Sequence, residues 1–298
     1  MKLNGILYIF VLVQIVFSET KHGKNSSSHN SSKSEKKHGS VEVSIKIRDS
    51  MEPEFAESDS MEALNEDDFK NAEMLSNEEI NHNPANPSST CMVHNDNNGK
   101  DFKLREAMWE NDHLYWNNHR IPYQILGNFS KKERALLAKS IKKFENSSCL
   151  KFPPKTRDDT HFFTFIHGDE CKVKKRSRND FRMVIMNEKC IAPRTIQHNI
   201  MHILGFSHEH TRSDRDKYVD INWNNIVPDK KRYFFVTKNN LLGEPYDYDS
   251  IMHVAENYHS SNPDQPTIIP KKEGITIGRS RKLSSGDAAK IKKLFRCS

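Results

Sequence analysis

After its first seventeen residues, this 298-residue chain has no apolar run long enough to cross a bilayer, so a membrane-spanning body is not expected. It has no internal repeat, which removes solenoids from the candidates. Its basic excess is 46 Lys and Arg against 40 Asp and Glu, a formal +6. That excess forms no stripe interleaved with aromatics, so no nucleic-acid partner is expected and a solvated basic surface is the simpler reading. Cysteine is scarce, with five residues at 91, 149, 171, 190 and 297. An odd count leaves one over, and Cys91 is the natural candidate because it sits in a polar, turn-rich stretch. Residues 19–105 have few large apolar side chains and are rich in Ser, Lys, Asn, Glu and Asp. Such a low-complexity segment cannot bury enough surface to offset its ordering entropy, so a largely disordered extension is expected there.

At the N-terminus, Lys2 precedes an apolar run from Ile6 to Phe17, and Ser18 closes a plausible cut site. Residues 1–18 therefore read as a secretory signal peptide. The mature chain would be extracellular, without a membrane span, and permissive for disulfides. Asn25, Asn30, Asn128 and Asn146 each open an N-x-S/T sequon and are expected to be glycosylated. From about Phe102 the composition changes and a core becomes possible. Arg120–Leu126, His161–Ile166 and Phe181–Met186 read as strands, with an exposed basic loop over Lys172–Arg178. Ser130 and Glu133 form a capping-box pattern ahead of a helix that places Leu137, Ile141 and Phe144 on one face. Pro193 and Gly205 bracket a second helix, and a third is expected over Ser284–Phe295 with Leu283, Ala288, Ile291 and Phe295 on its inner side. No accessory module is expected after the domain, so targeting is expected from the domain itself or the extension.

On the second helix, His198 and His202 are four residues apart, which puts both imidazoles on one face, one turn apart. Gly205 suits the sharp turn that follows, and His208 returns six residues after His202. Downstream, Ser250-Ile251-Met252-His253 is placed to bring a methionine beneath the group. Three neutral imidazoles with an open fourth position make a catalytic-type zinc site, with one ion per chain.

The string His198-Asn199-Ile200-Met201-His202-Ile203-Leu204-Gly205-Phe206-Ser207-His208 resembles the metzincin signature H-E-x-x-H-x-x-G-x-x-H, and Met252 its Met-turn. Several stretches resemble the astacin family in particular. These are Gly205 to Arg212 with Asp214-Arg215-Asp216, Tyr123 after Ile121-Pro122, and the tail Leu294-Phe295-Arg296-Cys297. The resemblance covers roughly Arg105 to Ser298. It implies an α+β, two-subdomain zinc endopeptidase, with residues 106–298 as its domain. A twisted sheet and the zinc helix would lie above, and an irregular lower half with a C-terminal helix below. An extended peptide or protein substrate would lie in the cleft of a monomer. It implies disulfides Cys149–Cys297 and Cys171–Cys190. It makes residues 19–105 a pro-like segment cut near Arg105, with Glu209 anchoring the new N-terminus. The zinc-capping F-x-G-D motif of such zymogens is absent, which leaves Asp96, Asp101 or Cys91 open for that role.

Two positions depart from the pattern. Asn199 stands where the family has the glutamate that takes a proton from the attacking water. An amide is isosteric with a carboxylate but cannot accept that proton. Val254 stands where the family has a tyrosine that stabilises the oxyanion, and Tyr258 lies four residues further on. These departures imply strongly reduced proteolysis, or a catalytically inactive zinc-binding protein that holds peptides or inhibitors. Arg279, Arg281 and the stretch Lys172–Arg178 would favour acidic peptides or serve as solvated surface.

Overall fold

The computed structural model describes residues 62–81, 92–95, 116–175, 182–237 and 242–298. Residues 1–18, Asn25, Asn30, Cys91, Asp96, Asp101 and Arg105 lie outside the described residues.

The fold is α+β, as the resemblance implied. Its sheet has the order β1-β4-β5-β3-β2. The strands are β1 (Met92–Asn95), β2 (Tyr123–Leu126), β3 (Phe163–His167), β4 (Lys172–Lys175) and β5 (Arg182–Met186). β2, β3 and β5 run parallel, β4 is antiparallel to β5, and β1 is parallel to β4. β2 starts later than expected because Pro122 has no N–H to give to a ladder; Arg120 meets Lys151 only as an isolated bridge.

Helix α3 (Lys131–Ser147) starts at the Ser130/Glu133 capping box, and Leu137, Ile141 and Phe144 are buried. Helix α4 (Pro193–Ile203) has every residue buried, so one side packs on the sheet and the other is free for the site. Helix α5 (Ser285–Leu294) is capped by Ser284 and Asp287.

Two stretches differ from the expected organisation. Lys172–Lys175 is strand β4 and not an exposed loop. Val173 is fully buried, Lys172 is nearly so, and the Cys171–Cys190 disulfide pins the strand's start. A lysine-rich composition concealed one apolar residue facing the core. Within the extension expected to be largely disordered, helices α1 (Glu66–Met74) and α2 (Asn77–Asn81) form, and α1 packs along α3. Asn65 caps α1 in a reciprocal pair with Asp68, and Leu64 and Ala72 are buried.

Two cores result. The first joins the sheet, α3, α4, Ile251, Met252 and the apolar side of α5. The second joins Val219, Ile226, Phe234, Tyr246, Val254, Tyr258, Ile268 and Ile277. Around this second core lie short 3₁₀ helices and the short pair β6 (Val219–Ile221) and β7 (Ile268–Pro270), the irregular half that was expected. The Cys149–Cys297 bridge ties the start of the domain to its end. No helix among the described residues is long and apolar enough to cross a membrane.

Candidate metal centre

The site lies where the chain passes between the two cores, with Met252 in one and Val254 in the other. Helix α4 supplies His198 and His202 from consecutive turns. Gly205, at φ +100°, ends the helix, and its N–H donates to the His202 carbonyl at 3.0 Å. That reversal returns His208 to the other two. The three Nε2 atoms lie 3.1 Å (198–202), 3.2 Å (198–208) and 3.2 Å (202–208) apart.

Backbone carbonyls fix the tautomers. His198 Nδ1–H donates to the Ile251 carbonyl at 2.8 Å, and His202 Nδ1–H to the Phe206 carbonyl at 2.8 Å. In the neutral rings those Nε2 atoms carry only lone pairs. Burial keeps the rings neutral. It pushes His202 down to about 4 and His198 and His208 well below the ordinary histidine value, and the neighbouring histidines add to the effect at His198 and His208. The His198 and His202 lone pairs facing one another at 3.1 Å suit a cation between them. A tetrahedral zinc with Zn–N of about 2.0–2.1 Å spaces its nitrogens by about 3.3–3.4 Å, so the triad fits one such ion. These three residues form the only such metal-ligating group among the described residues.

Met252 is buried beside the triad, and its carbonyl accepts the Glu209 N–H at 3.0 Å. Asn199, on α4 immediately after the first ligand, is 2% exposed. Val254 is packed into the second core, with nothing on its side chain to donate. The close approach of Gly278 shapes the wall beside it. A Cβ at Gly278 would lie 2.4 Å from the Ala255 backbone. Arg194 of α4 holds that loop through the Ser280 and Gly278 carbonyls at 2.6 and 3.0 Å. The Tyr258 ring stands edge-on to His208, 6.1 Å between centroids, as part of the second core.

Glu209 is buried and fully engaged. One oxygen accepts from Arg212 at 3.0 Å and from the Asp247 N–H at 2.9 Å, and the other accepts the Lys290 ammonium at 2.6 Å. Sequence reasoning missed Lys290, whose partner lies 81 positions away. It also missed Asp287, which accepts from Ser250 Oγ at 2.6 Å and the Ile251 N–H at 2.8 Å and so fixes the turn that orients His198. The Ser284-x-x-Asp287 spacing was a readable cap signal for Asp287; nothing in the sequence marked Lys290. The Trp116 indole N–H donates to the Ile203 carbonyl at the end of α4, at 3.3 Å. Both disulfides form as implied, and Asn128 and Asn146 are exposed.

A family model described as Astacin, a peptidase family, matches residues 108–296. Zinc metalloproteinase nas-7 of Caenorhabditis elegans is 34% identical over 249 residues, 80% of this chain and 63% of that protein. Bone morphogenetic protein 1 of Xenopus laevis is 36% identical over 190 residues, 61% of this chain and 27% of that protein. Among solved structures, high choriolytic enzyme 1, a hatching enzyme zinc-protease from the medaka Oryzias latipes, aligns at TM-score 0.57 and 33% identity, covering 61% of this chain and 92% of that one. The chain thus spans less than two thirds of the length of both sequence relatives.

Proposed function

The chain belongs to the astacin family, and from that premise we propose that it is a secreted zinc metalloendopeptidase with strongly reduced hydrolytic power. His198, His202 and His208 are the site for one zinc ion. The bound ion supplies Lewis acidity toward a peptide carbonyl and lowers the pKa of a water toward about 7. The protein's own residues supply less than this chemistry needs. Asn199 holds a hydrogen-bond position but takes no proton, and loss of a general base costs about 10²–10⁴-fold. Val254 offers no hydroxyl to a developing oxyanion, a loss of about 10²–10³-fold on its own. The two losses do not simply multiply, because groups acting as a unit are non-additive.

An extended peptide in the cleft of a monomer is the ligand in this reading. Secretion is supported by the leader-like N-terminus and the two disulfides. The extension is proposed to be a pro-segment cut near Arg105, after which Glu209 holds the new amine beside Lys290.

The observation that carries the reading is an intact metal triad with Asn199 built into its helix. The same residue favours a second reading, a catalytically inactive zinc protein that binds peptides or inhibitors. Hydrolysis of a denatured protein by the zinc-loaded chain, with and without chelator, separates them. Slow, chelator-sensitive cleavage supports the first reading. No cleavage with zinc-dependent peptide retention supports the second. A rate matching the Asn199→Glu variant overturns both.

A further inference from the structure

The segment 62–81 is packed on the domain on the α3 side of the sheet, and its contacts are those of a built interface. Asp68 is 5% exposed and accepts from Arg134 of α3 through Nε at 3.1 Å to both oxygens and through Nη2 at 2.9 Å. Nη2 of Arg134 also donates to the Ala63 carbonyl at 2.5 Å. Lys139, five residues along the same helix, donates to the Ala72 carbonyl near the C-terminal end of α1 at 3.1 Å, where a cation suits the helix dipole. Lys132 pairs with Glu79 of α2 at 3.1 Å.

The segment also completes the sheet. Ile125 is fully buried on β2, and its N–H donates to the Glu62 carbonyl at 2.9 Å. Without Glu62 that buried N–H loses its acceptor, a penalty of about 1–3 kcal/mol. The Leu64 N–H donates to Tyr123 Oη at 3.3 Å, and burial pushes the Tyr123 hydroxyl up to about 12, so it stays protonated. Leu64 and Ala72 belong to the same core as the zinc helix, with Ala63, Phe69 and Leu75 packed against it. A nine-residue helix is marginal alone in water, so α1 owes its form to this surface.

We propose that residues 62–81 anchor a retained light chain: after the chain is cut between Asn95 and Trp116, the N-terminal fragment stays bound to the domain, through α1 and through β1 paired on β4, instead of leaving. The receptor is the Arg134/Lys139 flank of α3 with the outer edge of β2, and the ligand is this chain's own acidic, capped helix. The biological meaning rests on the reading that the extension is cut near Arg105; the physical claim of retention does not.

The test imposes the cut. A site-specific protease sequence replaces residues 103–106 in the full chain, the zinc-loaded protein is cleaved, and native size-exclusion fractions are run on a denaturing gel. Retention expects both fragments in one peak at equal stoichiometry at physiological salt. Asp68→Ala is expected to weaken retention on the order of tenfold to a hundredfold, from the loss of charged hydrogen bonds. Lys70→Ala, on the exposed side of α1, is expected to leave it unchanged. Complete separation of the fragments in the otherwise natural sequence overturns the proposal, as does equal retention with Asp68→Ala. N-terminal sequencing of the naturally secreted chain tests the Arg105 reading separately.

Discussion

The Lys290 ammonium meets the Glu209 carboxylate at 2.6 Å with both side chains below 10% exposure, linking α5 to the residue that follows the third metal ligand. The contact makes the C-terminal helix part of the frame of the metal centre. One turn earlier, Asp287 holds the turn whose Ile251 carbonyl orients His198. Removing one member of a buried ion pair typically costs about 3–5 kcal/mol, because the remaining charge stays desolvated. Arg212 still faces Glu209, so Lys290→Met is expected at the low end, about 3 kcal/mol, read by chemical unfolding of the zinc-loaded protein. Lys290→Arg keeps a cation and is expected to lose less. Equal stability of Lys290→Met and the natural chain would show that Arg212 alone satisfies Glu209.

Acid is expected to destabilise the metal-free protein in a defined window. His253 is fully buried and neutral: its Nδ1–H donates to the Val254 carbonyl at 3.0 Å, and Nε2 accepts from Tyr246 Oη at 2.7 Å. Burial pushes it down to about 4, against about 6.5 when unfolded. The unfolded chain therefore takes up its proton first. Stability is full above about pH 6.5, falls as pH drops toward about 4, and changes no further below that through this group. The difference amounts to about 3 kcal/mol. The buried ligand histidines act in the same direction, whereas Asp287, pushed up by burial, offsets part of the loss at the acid end. Unfolding at pH 7 and pH 4.5 checks this, and His253→Gln is expected to flatten the difference.

How much of this was legible depended on whether the signal was local. The Ser130/Glu133 box, Pro193 and Gly205 marked helix ends that the structure places within a residue or two. The histidine spacing gave the triad because a helix turn and one glycine reversal are local geometry. Strand β4 was hidden because its apolar content is one residue, Val173, among lysines. Helix α1 was hidden because averaging over residues 19–105 diluted Leu64, Phe69 and Ala72, and because its partner, α3, begins more than fifty residues later. Lys290 was unreadable for the same reason: only the tertiary fold brings it to Glu209.

The two disulfides are expected to differ in worth. Cys149–Cys297 spans 148 positions and Cys171–Cys190 spans 19. In the chain-entropy account, cross-linking restricts the unfolded state by about 5 kcal/mol for the longer loop and about 3 for the shorter. Paired replacement by alanine, followed by denaturant unfolding, should give losses in that order. The reverse order would mean that the short bridge chiefly holds strand β4 in the folded state.

Asn199→Glu is expected to raise proteolysis. The position lies on a buried helix between fixed ligands, and glutamate adds one methylene and a carboxylate. Restoring a proton acceptor should increase kcat/KM on a denatured protein substrate by about 10²–10⁴-fold. Adding Val254→Tyr should raise it again, mainly in kcat, because an oxyanion donor acts only on the developing charge. Val254 is 3% exposed within the second core, so a larger ring there overpacks it and part of the gain is expected to be lost to strain. Zinc content should stay at one per chain in all three proteins, since His198, His202 and His208 and their carbonyl partners are untouched. If the natural chain already matches both variants and chelator abolishes its activity, then Asn199 is no handicap, and a proton acceptor other than residue 199 serves this site.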